Sequence, residues 1–166
     1  MILNSLIVFF LLGLIVILYA TFSGSTYIRL VDTADGAVSS ASAPGADINA
    51  IEIHKLKKGN SIFASEVIQS TVPQEIDGVT NNYADTTSLL SNPDLDAIAT
   101  YTSLGGGEVI VRLEARLSSG DRVLVHEIGA TDGLKAEHFD VYIGTSKDGP
   151  WELLGTGAGP TSFTIE

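Results

Sequence analysis

Glu108-Val109-Ile110-Val111-Arg112-Leu113-Glu114-Ala115-Arg116 decides the fold class of this chain. Val109, Val111, Leu113 and Ala115 fall on every second position, and Glu108, Ile110, Arg112, Glu114 and Arg116 take the places between. Successive side chains of a strand point to opposite faces, so this spacing gives one packed face and one largely wet face. A helix would scatter the same residues around its circumference.

The same alternation recurs on either side. Thr26–Val31, Ile48–His54, Thr100–Leu104, Arg122–Ile128, His138–Gly144, Trp151–Gly155 and Ser162–Ile165 read as short strands set off by Gly, Asp, Asn, Ser and Pro. Together with the opening stretch they predict a mainly β, antiparallel jelly-roll or β-sandwich domain over residues 25–166. Residues 32–45 and 76–96 read as long loops, and 64–72 as a short helix or an extended crossing segment. Tyr101 and Trp151 are expected in the core, with Asp148-Gly149 turning the hairpin ahead of the indole.

Upstream, the pattern is of another kind. Met1 to Phe22 contains no charged residue, and as a helix it would reach roughly 33 Å, enough for a bilayer core. Residues 1–24 are therefore expected to form a single-pass transmembrane anchor. Leu6, Phe9, Phe10, Leu14 and Ile17 would anchor the helix in the membrane, and Asn4 and Gly13 would allow contact with other membrane helices. A cleaved signal peptide is the rival, weakened by the length of the run and by the lack of a basic residue before it. The flanking charges give little orientation, and the acidic domain is assigned to the periplasmic or extracellular side.

All 20 acidic and 9 basic residues lie in the domain, giving a formal charge of −11. Such a surface repels phosphate backbones, which argues against a nucleic-acid partner. The chain has no cysteine, which excludes disulfides, thiolate metal sites and a cysteine nucleophile. His54, His126 and His138 are too scattered to define a zinc site. No nucleophile elbow, phosphate loop or His-Glu-x-x-His helix occurs, so the chain is expected not to be an enzyme. Asp77, Asn81, Asn82 and Asp85, with Asp94 and Asp96 further on, are hard oxygen ligands and the candidates for a structural Ca²⁺. No other cofactor is expected.

Three runs carry a resemblance: Ser103-Leu104-Gly105-Gly106-Gly107-Glu108-Val109-Ile110-Val111, Val125-His126-Glu127-Ile128-Gly129, and Phe139-Asp140-Val141-Tyr142-Ile143-Gly144-Thr145-Ser146-Lys147-Asp148-Gly149-Pro150-Trp151-Glu152-Leu153-Leu154-Gly155. They resemble the discoidin-like (factor 5/8 type C, galactose-binding-like) β-sandwich of bacterial cell-surface proteins. In that family a Tyr-x-Arg-x-x-Asp strand and a Gly-x-Asp-x-x-Ala-x-Glu stretch follow the tryptophan hairpin. Here Tyr27 to Asp32 and Gly45 to Glu52 precede it, so the strand order resembles a permuted one. The early strands are expected either to close the same sandwich beside the C-terminal strand or to complete a neighbour's by strand donation. The resemblance also implies sugar binding, for which Tyr83 is the clearest loop aromatic.

The reading that follows is a non-enzymatic accessory or scaffolding subunit of a larger membrane complex. Its helix would sit in the bilayer among other integral membrane subunits, and its β domain would make extracytoplasmic protein contacts. A cell-surface carbohydrate-binding or adhesion module and a pilin-like filament subunit are the alternatives.

Overall fold

The computed structural model describes residues 24–33, 45–90, 100–128 and 137–166. In chain order the strands are β1 (Thr26–Asp32), β2 (Asp47–Lys55), β3 (Asn60–Phe63), β4 (Glu66–Ser70), β5 (Glu75–Ile76), β6 (Val79–Thr80), β7 (Thr102–Ser103), β8 (Glu108–Leu113), β9 (Arg122–Glu127), β10 (His138–Gly144), β11 (Glu152–Ala158) and β12 (Thr161–Thr164). One antiparallel sheet has the order β11-β10-β1-β8-β4, and the other has β12-β9-β2-β3, with β7 added on β2. Ile28, Leu30, Ile48, Ile51, Ile53, Val109, Val111, Leu113, Val123, Val125, Phe139 and Val141 fill the core, drawn from both sheets.

Alternation explains the assignment of faces. In β1, Ile28 and Leu30 are fully buried while Tyr27, Arg29 and Val31 point outward and stay half-exposed. Each such aliphatic side chain contributes about 1.5–3 kcal/mol by leaving water. On the outer face Arg29 is bonded to Glu108 and stands 5.4 Å over the ring of Tyr142. Ile110 shares that face as a cross-strand neighbour of Arg29 and is 5% exposed. Long cationic side chains cover apolar surface in this way, which is how the wet face of β8 accommodates an isoleucine.

β1 pairs with β10 on one side and β8 on the other, and β2 lies between β9 and β3. The two earliest strands thus sit inside the sheets of their own chain. They do not lie beside β12, as expected, but in the middle, where both edges are hydrogen-bonded.

Several sequence expectations are corrected. Thr100–Leu104 contributes only the two-residue β7, because Leu104 turns away to bond Ala46 and Tyr101 stacks on Tyr83. β8 ends at Leu113, and β11 runs from Glu152 to Ala158. The 64–72 segment is extended and contains β4, paired to β8 with a bulge between Val67 and Gln69. The loop expected from residue 76 opens with a small hairpin instead. At its tip Asp77 and Gly78 both adopt positive φ, 51° and 81°, the mirror-image turn that suits hairpin twist.

Trp151 is not in the core either. Its ring lies against Gly144 and Gly149, half-exposed, and a Cβ on Gly144 would fall 3.1 Å from the indole. Among the described residues, Phe139 is the fully buried aromatic.

Among the described residues no helix is long and apolar enough to cross a membrane. The apolar run, and with it Asn4, Leu6, Phe9, Phe10, Gly13, Leu14 and Ile17, lies outside the described residues.

Candidate functional site

The sandwich has two dissimilar ends. One end, where β1 finishes and β2 begins, gathers buried carboxylates: Asp32 (6% exposed), Asp47 (7%), Glu127 (1%) and Glu137 (3%). The Asp32 carboxylate accepts the backbone N–H groups of Ala46 (3.2 Å) and Gly106 (3.0 Å), fastening β1 to two loops. Gly105 and Gly106 hold that loop at φ 57° and 79°, where a side chain would be strained. Asp47 accepts from the Ser103 hydroxyl. Burial nonetheless pushes its carboxyl up to about 7, the Ser103 bond opposing and nearby Glu137, Glu127 and Asp32 adding to the rise.

Over this end lie residues 73–90, together with 100–103. Asn81 is buried and fully used: its amide donates to Pro73 O (3.1 Å) and Ser103 O (3.0 Å), and its oxygen accepts from Tyr83 N (3.0 Å). Tyr83 and Tyr101 stack with centroids 4.2 Å apart and planes 16° from parallel. Asp85 accepts the Thr87 N–H at 2.9 Å, starting the 3₁₀ turn Thr86–Leu90 whose Leu89 enters the core. The Thr87 backbone and side-chain bonds hold the Asp85 carboxyl below its usual range.

Of the Ca²⁺ candidates, then, Asp77 makes a hairpin tip, Asn81 ties three segments together, Asn82 is exposed, and Asp85 caps a turn. Asp94 and Asp96 lie outside the described residues. Among the described residues no three His, Asp or Glu side chains are grouped to hold a metal ion.

The opposite end, where β1 starts, is built around Asp121. It is bonded to the Lys55 ammonium and accepts the N–H groups of Leu56 (3.0 Å) and Ser118 (2.8 Å). Lys55 also donates to Arg116 O at 2.6 Å. Burial works against the Asp121 charge, but the Lys55 bond and the two amides outweigh it and leave the carboxyl lowered. The amide of Ile165 bonds Asp121 O and that of Gly120 bonds Ile165 O, so the C-terminal strand is fixed to the same hub.

Beside this hub opens a cleft of about 870 Å³. Its walls come from Gly24 to Tyr27, from Arg116 and Leu117, from Ile143 to Thr145, and from Pro150 to Glu152. Trp151 presents its half-exposed ring here.

His126 bonds Glu52 at 2.9 Å on the outer face of the second sheet, with Ser61 on the other carboxylate oxygen. Burial opposes the Glu52 charge, and Ser61, His126 and His54 together hold its carboxyl low. The His138 backbone carbonyl receives Thr33.

Sequence reading passed over Asp32, Lys55, Asp121 and Glu127. A signal existed, since each is in phase with the inward stripe of its strand: Asp32 with Ile28 and Leu30, Lys55 with Ile51 and Ile53, Asp121 and Glu127 with Val123 and Val125. A charge at an inward position has to be met by a partner or by neutralisation. No family model, curated protein or solved structure matches the chain, so the functional reading rests on these residues and their placement.

Proposed function

We infer that this chain is a non-enzymatic accessory subunit of a membrane complex, tethered by its apolar N-terminal run and making protein contacts with its sandwich close to the membrane surface. The observation that carries this reading is the attachment of the tether. Only Ser23, Gly24 and Ser25 separate Phe22 from Thr26, the first residue of β1. Four peptide steps reach roughly 14 Å at most. Because β1 is bonded on both sides within its sheet, the domain cannot extend further by releasing an edge strand.

A domain held so close is well placed to pack against neighbouring membrane subunits, and poorly placed to reach outward as an adhesin. The buried polar groups support the same reading, because Asn81, Lys55 and Asp121 join segments of the fold.

One observation favours a second reading, a carbohydrate-binding module: the Tyr83–Tyr101 stack stands at the end away from the tether, beside exposed Asn82. Mild-detergent extraction of native membranes, followed by size analysis and mass spectrometry, separates the two. Stoichiometric recovery with larger membrane subunits is expected. A lone monomer that binds a glycan array, with or without Ca²⁺, would overturn the accessory-subunit reading in favour of the second.

A further inference from the structure

The cleft at the tethered end has a chemistry of its own. Gly24 forms part of its wall and is two residues beyond Phe22, so covalent reach alone holds that wall within roughly 7 Å of the end of the apolar run. Trp151, the chain's one tryptophan, lines it with Ile143, Leu117 and Pro150. The indole packs against Gly144, where a glycine leaves room for it, and against Gly149. An indole with an apolar body and a polar N–H suits the boundary between headgroups and acyl chains. The charged lining residues are Arg116 and Glu152, one of each sign. That balance fits a zwitterionic surface, whereas the chain's net charge of −11 disfavours an anionic one.

We propose that this cleft seats on the bilayer interface, with Trp151 inserted among zwitterionic headgroups, so that the sandwich stands on the membrane on its tethered end. The proposal rests on the apolar run being a membrane anchor. Seating fixes the domain's orientation as well as its distance, and it presents the Asp47 and Tyr83 end to whatever lies above the membrane.

The single tryptophan makes the test direct. The full chain is reconstituted into phosphatidylcholine vesicles with ordinary acyl chains or chains brominated near the glycerol, and Trp151 emission is compared. Alkaline carbonate treatment of the same vesicles reports whether the chain is anchored. A second protein, Trp151→Phe with Asn82→Trp, carries the reporter at the opposite end.

A blue-shifted Trp151 emission that brominated lipid quenches, with no quenching in the second protein, is the expected result. Carbonate-resistant chain whose Trp151 is unquenched would overturn the seating while leaving the anchor intact, and would give the cleft to a protein partner. Equal quenching of both reporters would also overturn it, since the domain would then have no preferred end. Release by carbonate would remove the anchor itself, and the proposal with it.

Discussion

The two ends of this sandwich treat a buried carboxylate in opposite ways. At the end where β1 starts, Asp121 meets a lysine and two backbone amides and stays ionised. At the far end Asp47 has one hydroxyl donor and three acidic neighbours, and its carboxyl rises to about 7. A buried charge with matched donors locks loops together, whereas a buried carboxylate among others makes the fold sensitive to pH near neutrality. The rigid end is the one where β1 starts, and the pH-sensitive end is the one where β1 finishes and β2 begins.

The largest expected effect comes from breaking the rigid end. Asp121→Ala leaves Lys55 without its carboxylate and two amides without an acceptor, and should cost about 3–5 kcal/mol in denaturant unfolding. A loss below about 1 kcal/mol, the value of an exposed pair, would mean that this end is no more fixed than the surface.

Asp47→Asn sharpens the comparison from the other side. Because the folded-state value of about 7 lies above the ordinary 3.8, the native state binds more protons than the unfolded chain between those limits. Stability from this group therefore falls as pH rises from about 4 to 7. The variant should flatten that slope and gain up to about 4 kcal/mol at pH 8, from 1.36 kcal/mol per pKa unit over the rise from 3.8 to about 7. An unchanged profile of melting temperature against pH would remove the distinction between the ends. Asp121, with its lowered value, contributes with the opposite sign, being lost only as pH falls into the acid range.

The smallest effect belongs to the outer face between the ends. Arg29→Ala removes a partly exposed pair with Glu108 and a ring contact with Tyr142, together about 1 kcal/mol in urea unfolding. A loss matching that of Asp121→Ala would show that the sheet's outer face, and not its end, holds the fold.

What the sequence disclosed follows from the same physics. β1, β2, β8, β9 and β10 were legible because a strand with one buried face must alternate, as Ile28 and Leu30 or Val123 and Val125 do. β3 and β4 were not, since they are edge strands whose residues are exposed or half-exposed and carry no inward stripe. The β5–β6 hairpin was signalled by Asp77-Gly78 and overlooked, because two-residue strands offer no period to count. Trp151 misled because size suggests burial, and only the contact with Gly144 and Gly149 shows the ring lying across its own hairpin. Neither end was visible as a site, since the loops meet through contacts far apart in sequence, such as Lys55 with Asp121 and Asp47 with Ser103.

The chain's lack of cysteine permits one direct test of a domain standing tether end down on a membrane. A donor dye is attached to Lys147→Cys, in the exposed turn beside the cleft, or to Asn82→Cys, at the far end, and energy transfer to acceptors in the vesicle surface is measured on the full chain. Stronger transfer from position 147 than from position 82 is the expected result. Equal transfer, or stronger transfer from position 82, would contradict it.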